Sequence, residues 1–274
     1  MNSTAIIDLD SVMFSIGNPN KVLDENNEPL RIDNKFVYED KTPDQLVDSC
    51  EFIMNKILNS CKCTDYIAYI KGKGNYRYDI KSDYKANRPK ESPSWWKFVK
   101  GYLIENWKAV EVNGIEVDDA VNITRLQVPN SFIVAIDGDL LGLEGTHYNW
   151  RKNDLMGEWI TTNKEQAEYK FWSDMICGQK GDNIDGLRGK GEAFVKKLFA
   201  PIQVNDLLKY PTYHTDVLNT YIEHYKDFTL ALDEYYKNYN CLKILDKYEG
   251  FIIPESIKFK GKKDKISEEK GLFD

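Results

Sequence analysis

The chain of 274 residues lacks any apolar run near the roughly 18 residues that a membrane-crossing helix needs. Its first apolar segment, "TAIIDL" from Thr4, already contains an acid and has no leader-cleavage pattern. A protein that stays in the cytoplasm where it is made is therefore expected. Histidine is scarce, at 3 residues, and the 5 cysteines are odd in number, which argues against a secreted disulfide framework. Cys61-Lys62-Cys63 has the wrong spacing for a zinc knuckle, and the histidines are scattered, so thiols held in a reducing compartment are the simpler reading. The glycine-rich stretch "GQKGDNIDGLRGKG" (178–191) lacks the Ser or Thr that ends an ATP-binding loop, because Gly189-Lys190 is followed by Gly191.

An overall positive charge is also missing: the formal net charge is −7. The charge is unevenly spread, however. Between Lys71 and Lys100 nine basic residues stand against three acids, Asp79, Asp83 and Glu91. A basic segment in an acidic chain suits a polyanion-binding protein whose centre is itself built of carboxylates; a solvated basic face with no partner is the alternative.

Three apolar runs read as buried parallel strands: "AIIDLD" near residue 5, "YIAYIK" near 66 and "SFIVAIDGD" near 131. "AVEV" from Ala109 reads as a fourth, shorter one, and 42–58 and 92–107 carry helical patterns between them. Alternating strands and helices predict an α/β sheet covered on both faces, with ligands at the carboxyl ends of the strands. Asp8 and Asp10 follow the first strand, Glu116, Asp118 and Asp119 follow "AVEV", and Asp137 and Asp139 follow the run near 131. Residues 17–43 are rich in turn formers and predict a hairpin excursion, and beyond about 163 strand signals give way to helices.

Carboxylates crowded at one edge repel unless a cation neutralises them, and an all-oxygen set favours hard ions, Mg²⁺ or Mn²⁺. Two such ions can drive an in-line phosphoryl displacement. Singly, each acid has a duller reading: a "DGD" turn, favourable charges at a helix start for Asp118 and Asp119, a helix cap for Asp10. Arg77, Lys81, Lys85 and Arg88 are spaced to form one cationic stripe on a helix, with Tyr84 among the aromatics able to stack on single-stranded bases. Lys85 and Arg88 are the pair that would clamp a phosphate beside the metals. Gly186, Gly189, Lys190 and Gly191, followed by Lys196, suit a clamp on a DNA backbone read without sequence specificity.

The order of "IIDLDS", "NYRYDIKSDYKANR", "EVDDAV", "IDGDLLGLEGTHYNW" and "GQKGDNIDGLRGKGEAFVKKL" resembles the structure-specific 5′ nucleases, the flap endonucleases and 5′–3′ exonucleases, of bacteriophage type above all. The resemblance covers about residues 4–200. It implies a PIN-like α/β domain over 1–163 with a helical arch at 71–105 and a helix-three-turn-helix or helix-hairpin-helix module over 164–250; the charged, apolar-poor end of the chain reads as a flexible tail at 251–274. It implies hydrolysis of phosphodiesters near 5′ ends of flapped, nicked or recessed DNA, or of RNA:DNA primers, in phage replication inside a host cell, by a monomer. Asp8, Glu116, Asp118, Asp119, Asp137, Asp139 and Asp182 would bind two metal ions, Lys85 and Arg88 would act on the scissile phosphate, and the glycine loop would grip the duplex, often with K⁺.

The terminal "GLFD" resembles a sliding-clamp docking peptide through Leu272 and Phe273. Two positions depart from the family pattern: Ile70 stands at or next to the place of an acid at the second strand's end, and Gln179 replaces the first acid of Gly-Asp-x-x-Asp-Asn. Glutamine offers a carbonyl oxygen without charge, so one metal position should be weakened. A junction-binding relative without catalysis is the alternative function.

Overall fold

The computed structural model describes residues 3–89, 91–153, 157–204, 207–209 and 212–259. The strand Thr4–Asp8 sits inside a seven-stranded sheet, parallel to Asp65–Lys71 on one side and to Ser131–Val134 on the other. Beyond Ser131–Val134 come Gly145–Asn149, parallel, and then Glu158–Thr162, antiparallel. On the far side of Asp65–Lys71 two short strands share one edge: Val110–Val112 pairs in parallel with its carboxyl half and Ile257–Lys258 antiparallel with its amino half.

Period-two alternation in these strands supplies both faces of the sheet. Ala5, Ile7, Ala68, Ile70 and Val134 point into one core with the helices Leu9–Gly17, Pro43–Ser60 and Trp96–Trp107. Ile6, Ile67, Tyr69 and Ile133 point into the other, against the helix Val117–Gln127. Helix Pro43–Ser60 shows why these segments fold locally. Thr42 and Gln45 form a capping box, proline opens the first turn, and Leu46, Cys50, Ile53, Met54, Ile57 and Leu58 recur on one buried face. Each such apolar side chain, fully buried, contributes about 1.5–3 kcal/mol.

The excursion at 17–43 is a pair of two-stranded ribbons, Asn20–Lys21 with Tyr38–Glu39 and Arg31–Ile32 with Lys35–Phe36. Asp33 and Asn34 turn the inner ribbon at φ 50° and 61°, the left-handed pair that a two-residue hairpin requires.

A third core, around Met175, Ile176, Val195, Val217, Tyr221 and Tyr235, unites the helices Lys164–Cys177, Glu192–Leu198, Tyr213–Tyr225 and Phe228–Leu242. The chain then returns to the sheet. Ile244, Leu245, Phe251 and Ile253 pack on the second core, and Ile257 and Lys258 pair with Tyr66 and Asp65. The expected flexible tail is thus corrected over 251–259, where sheet hydrogen bonds and apolar burial anchor it. Leu272 and Phe273 lie outside the described residues. Among the described residues no helix is long and apolar enough to cross a membrane.

Candidate active site

Parallel pairing delivers the strand ends to one edge, and the acids follow from that register. Asp8 closes the first strand and caps the helix that follows, accepting from the Asp10 N–H at 2.9 Å. Asp137 does the same after the strand Ser131–Val134, accepting from Asp139 at 2.7 Å. The expected cap at Asp10 is therefore corrected: Asp10 lies inside the first turn, and its carboxylate accepts from the Lys71 backbone N–H across the edge at 3.0 Å. Glu116 and Asp119 open helix Val117–Gln127 as a capping box, leaving Asp118 between them directed at the strand ends.

Asp8, Asp118 and Asp137 interact with one another. Burial, then Asp10 and Asp137, pushes the Asp8 carboxyl up to about 7. Burial, then Asp8, Asp137 and Glu116, raises Asp118 well above the carboxylate range, and burial with Asp139 and Asp182 raises Asp137. The Asp118 carboxylate has no hydrogen-bond or ion-pair partner among the described residues. Among those residues no group of three or more His, Cys, Asp or Glu side chains stands in an arrangement that could hold a metal ion. An all-oxygen trio that is desolvated, mutually repelling and free of a bonded lysine or arginine nonetheless fits a hard divalent cation, which removes the repulsion.

A second group stands beside it. Lys85 Nζ contacts Glu116 at 2.5 Å and Asp182 at 3.5 Å, and Arg88 reaches Asp182 at 2.5 Å. The Tyr84 hydroxyl, with one proton to donate, lies 2.9 Å from Asp182 and 3.1 Å from Glu116, and the Asn75 amide donates to Glu116. Burial would lower the Lys85 ammonium, but Glu116 and Asp182 hold it above its ordinary value. The Lys85 backbone is left-handed, at φ 56°, and its N–H is anchored on the Asp182 carbonyl at 2.9 Å. That conformation costs a non-glycine residue about 1–2 kcal/mol, and the Asp182 contacts hold it in place.

Four further expectations are corrected. Between Lys71 and Pro89 only Arg77–Ile80 is helical, so Arg77, Lys81, Lys85 and Arg88 do not share a helical stripe. Arg77 is 2% exposed and forks onto Asp119, 0% exposed, at 2.6 and 2.9 Å, while also donating to the Cys241 and Lys243 carbonyls. This arginine is buried away from any nucleic acid. Asp119, with both oxygens engaged by Arg77 and by the N–H groups of Leu245 and Glu116, is a structural anchor rather than a free metal ligand. Tyr84 is likewise buried, so its ring packs with Ile184 and Cys241 and cannot stack on bases. Lys81 is ion-paired with Asp83.

The loop 178–191 divides. A Cβ on Gly178 would lie 2.3 Å from the Gly186 nitrogen, and one on Gly186 2.2 Å from the Cys177 carbonyl. These two glycines permit close backbone approach, which corrects the expected phosphate-facing role of Gly186. Gly189 and Gly191 face open space, with exposed Lys196 beside them, while Lys190 lies over the Phe194 ring. Asp139 is not beside Asp8. It pairs with Lys170 at 2.8 Å and accepts from Gln179 at 2.9 Å, and Asp174 shares both partners. Sequence reasoning missed Lys170 and Asp174; their i, i+4 spacing in the helix running into the glycine loop was the available signal.

A mostly parallel sheet with acids gathered at its carboxyl edge, followed by a helical module that carries the glycine loop, is an α/β fold of the PIN-like nuclease type. No family model matches the chain. A curated relative, a 5′-3′ exonuclease of Mycoplasmopsis pulmonis, is 27% identical over 147 residues, 48% of this chain and 49% of the relative. The match thus spans about half the length of that relative. The solved structure of the bacteriophage T5 flap endonuclease, in a pseudo-enzyme-product complex with DNA and metal ions, superposes with a TM-score of 0.53 at 15% identity, covering 87% of this chain and 89% of that one. A bacteriophage T5 5′-exonuclease variant gives a TM-score of 0.52 at 12% identity, covering 87% and 88%. Motif order, the curated relative and the fold agree on the 5′ nuclease family as what this chain resembles, without singling out its phage branch.

Proposed function

We propose that the chain is a divalent-metal-dependent 5′ nuclease that hydrolyses phosphodiesters near 5′ ends of flapped, nicked or recessed DNA. The observation that carries this reading is the Asp8–Asp118–Asp137 trio at the carboxyl edge with Lys85 and Arg88 at its rim. Asp8, Asp118 and Asp137, with Glu116 beside them, are the residues that would hold the Mg²⁺ or Mn²⁺. A bound ion there would supply an activated water and charge stabilisation for the displaced oxygen.

Lys85 and Arg88 carry the charge for the scissile phosphate. They rest on Glu116 and Asp182, which keeps both cations at the site and gives them anionic partners to exchange for a phosphate. The exposed Gly189–Gly191 turn, Arg188 and Lys196 form the surface that would hold the duplex backbone, where a K⁺ would also sit. RNA:DNA primers present the same phosphate chemistry and belong to the same proposal, as does a role in phage replication.

The test is a 5′-labelled flap duplex incubated with Mg²⁺, with Mn²⁺ and with EDTA. Cleavage near the 5′ end in either metal, absent in EDTA, is expected; no cleavage in either refutes the reading. Asp137→Asn should abolish cutting and retain binding. A second reading, a junction-binding relative without catalysis, draws on buried Ile70 at the second strand's end and on the filled Asp139–Asp174 position. Binding without cleavage in the same assay would favour it.

A further inference from the structure

The acidic edge falls into two halves, and the second carries its own cation. Lys170 Nζ lies 2.8 Å from Asp139 Oδ1 and 2.6 Å from Asp174 Oδ2. The Gln179 amide nitrogen lies 2.9 Å and 3.1 Å from the same two oxygens. A carboxylate oxygen offers two lone pairs, so each of these oxygens already receives two N–H donors. A divalent ion bridging the pair through these two oxygens would have to displace the ammonium, and at the remaining carboxylate oxygens it would still settle beside a positive charge held on the same helix.

In the first half backbone N–H groups of Asp10 and Asp139 donate to Asp8 and Asp137, and among the described residues no lysine or arginine is bonded to either. The two halves are thus built for different cations. Gln179 takes its meaning from this difference. A carboxylate at position 179 would add a third negative charge to a pair balanced by one lysine, whereas the glutamine amide donates to both acids and holds them around Lys170. The position opens onto a cleft whose walls carry Arg125, Lys164 and Lys243 together with Glu144, Glu168 and Asp246.

We propose that the chain binds one divalent ion, at the Asp8–Asp118–Asp137 edge, and that Lys170, seated by Gln179, supplies the positive charge at the Asp139–Asp174 position as a fixed ammonium. The inference rests on the nuclease reading for the phosphate that meets this charge, but not for the number of ions bound.

The experiment counts bound Mn²⁺ on the full chain without DNA, by calorimetric titration and by the electron paramagnetic resonance signal of the free ion. One equivalent is expected for the wild type. A variant combining Lys170→Met with Gln179→Asp should take a second equivalent and show the spin coupling of a close Mn²⁺ pair. Two equivalents in the wild type, none in the wild type, or one in a folded double variant overturns the proposal. The flap-cleavage assay separates the two readings: one bound ion without cleavage leaves the ammonium assignment standing and removes the nuclease, while cleavage with two bound ions does the reverse.

Discussion

Replacing Arg77 by methionine tests the reassignment of both Arg77 and Asp119. The guanidinium donates to both Asp119 oxygens and to two carbonyls at the end of helix Phe228–Leu242, so it ties the sheet domain to the helical module. Both partners are buried, at 2% and 0% exposure, so solvent screening is negligible. Removing one member of such a pair leaves an uncompensated buried charge and costs about 3–5 kcal/mol. That is a large share of a total stability of about 5–15 kcal/mol.

With a urea slope of about 3 kcal/mol per molar, the upper end for a small protein, the unfolding midpoint should fall by about 1–1.7 M. Asp119→Leu should cost a similar amount, and the double variant Arg77→Met/Asp119→Leu much less than the sum, because no unpaired charge remains. The assay is equilibrium urea unfolding followed by tryptophan fluorescence. A midpoint shift below about 0.3 M for Arg77→Met, or additive losses in the double variant, would refute the argument. If Asp119 were instead a metal ligand, Asp119→Asn would weaken Mn²⁺ binding while leaving the midpoint nearly unchanged.

Lys85→Ala should lower the single-turnover cleavage rate about 10²–10³-fold, the range for removing one transition-state donor, and unchanged rates would remove Lys85 from the site. Gly178→Ala forces a Cβ to 2.3 Å from the Gly186 nitrogen at φ 72°, so a loss of about 2 kcal/mol or more is expected in thermal or urea unfolding, and a neutral variant would contradict the close approach of the two backbones. His147 is fully buried, and burial, with Arg125 nearby, lowers its imidazole below the ordinary histidine value. The unfolded chain therefore binds the extra proton first, so this residue's contribution is present above about pH 6.5 and is lost as pH falls below it. The melting-temperature gap between wild type and His147→Gln should narrow from pH 7.5 to 5.5; a constant gap would disprove it.

Much of the architecture was legible along the chain. Four apolar runs announced the strands Thr4–Asp8, Asp65–Lys71, Val110–Val112 and Ser131–Val134, because two-sided burial demands continuous apolar residues. The turn-rich excursion and the capped helices were legible for equally local reasons. The short strand Ile257–Lys258 was not, since two residues carry no periodicity and its pairing depends on an edge supplied by residues about 190 positions earlier.

What the sequence by itself determined is the inventory: which acids end strands, which basic residues cluster between Lys71 and Lys100, and where the glycines gather. What only the tertiary structure decided is how charges are shared among them. Arg77 and Asp119 looked like surface cation and metal ligand, and the fold buried them against each other. Asp139 looked like a partner of Asp137, and the packing of helix Lys164–Cys177 gave it to Lys170. The physical reason is that Coulomb energy and desolvation depend on separation and burial in space, so a carboxylate's role is set by the cation that the fold carries to it.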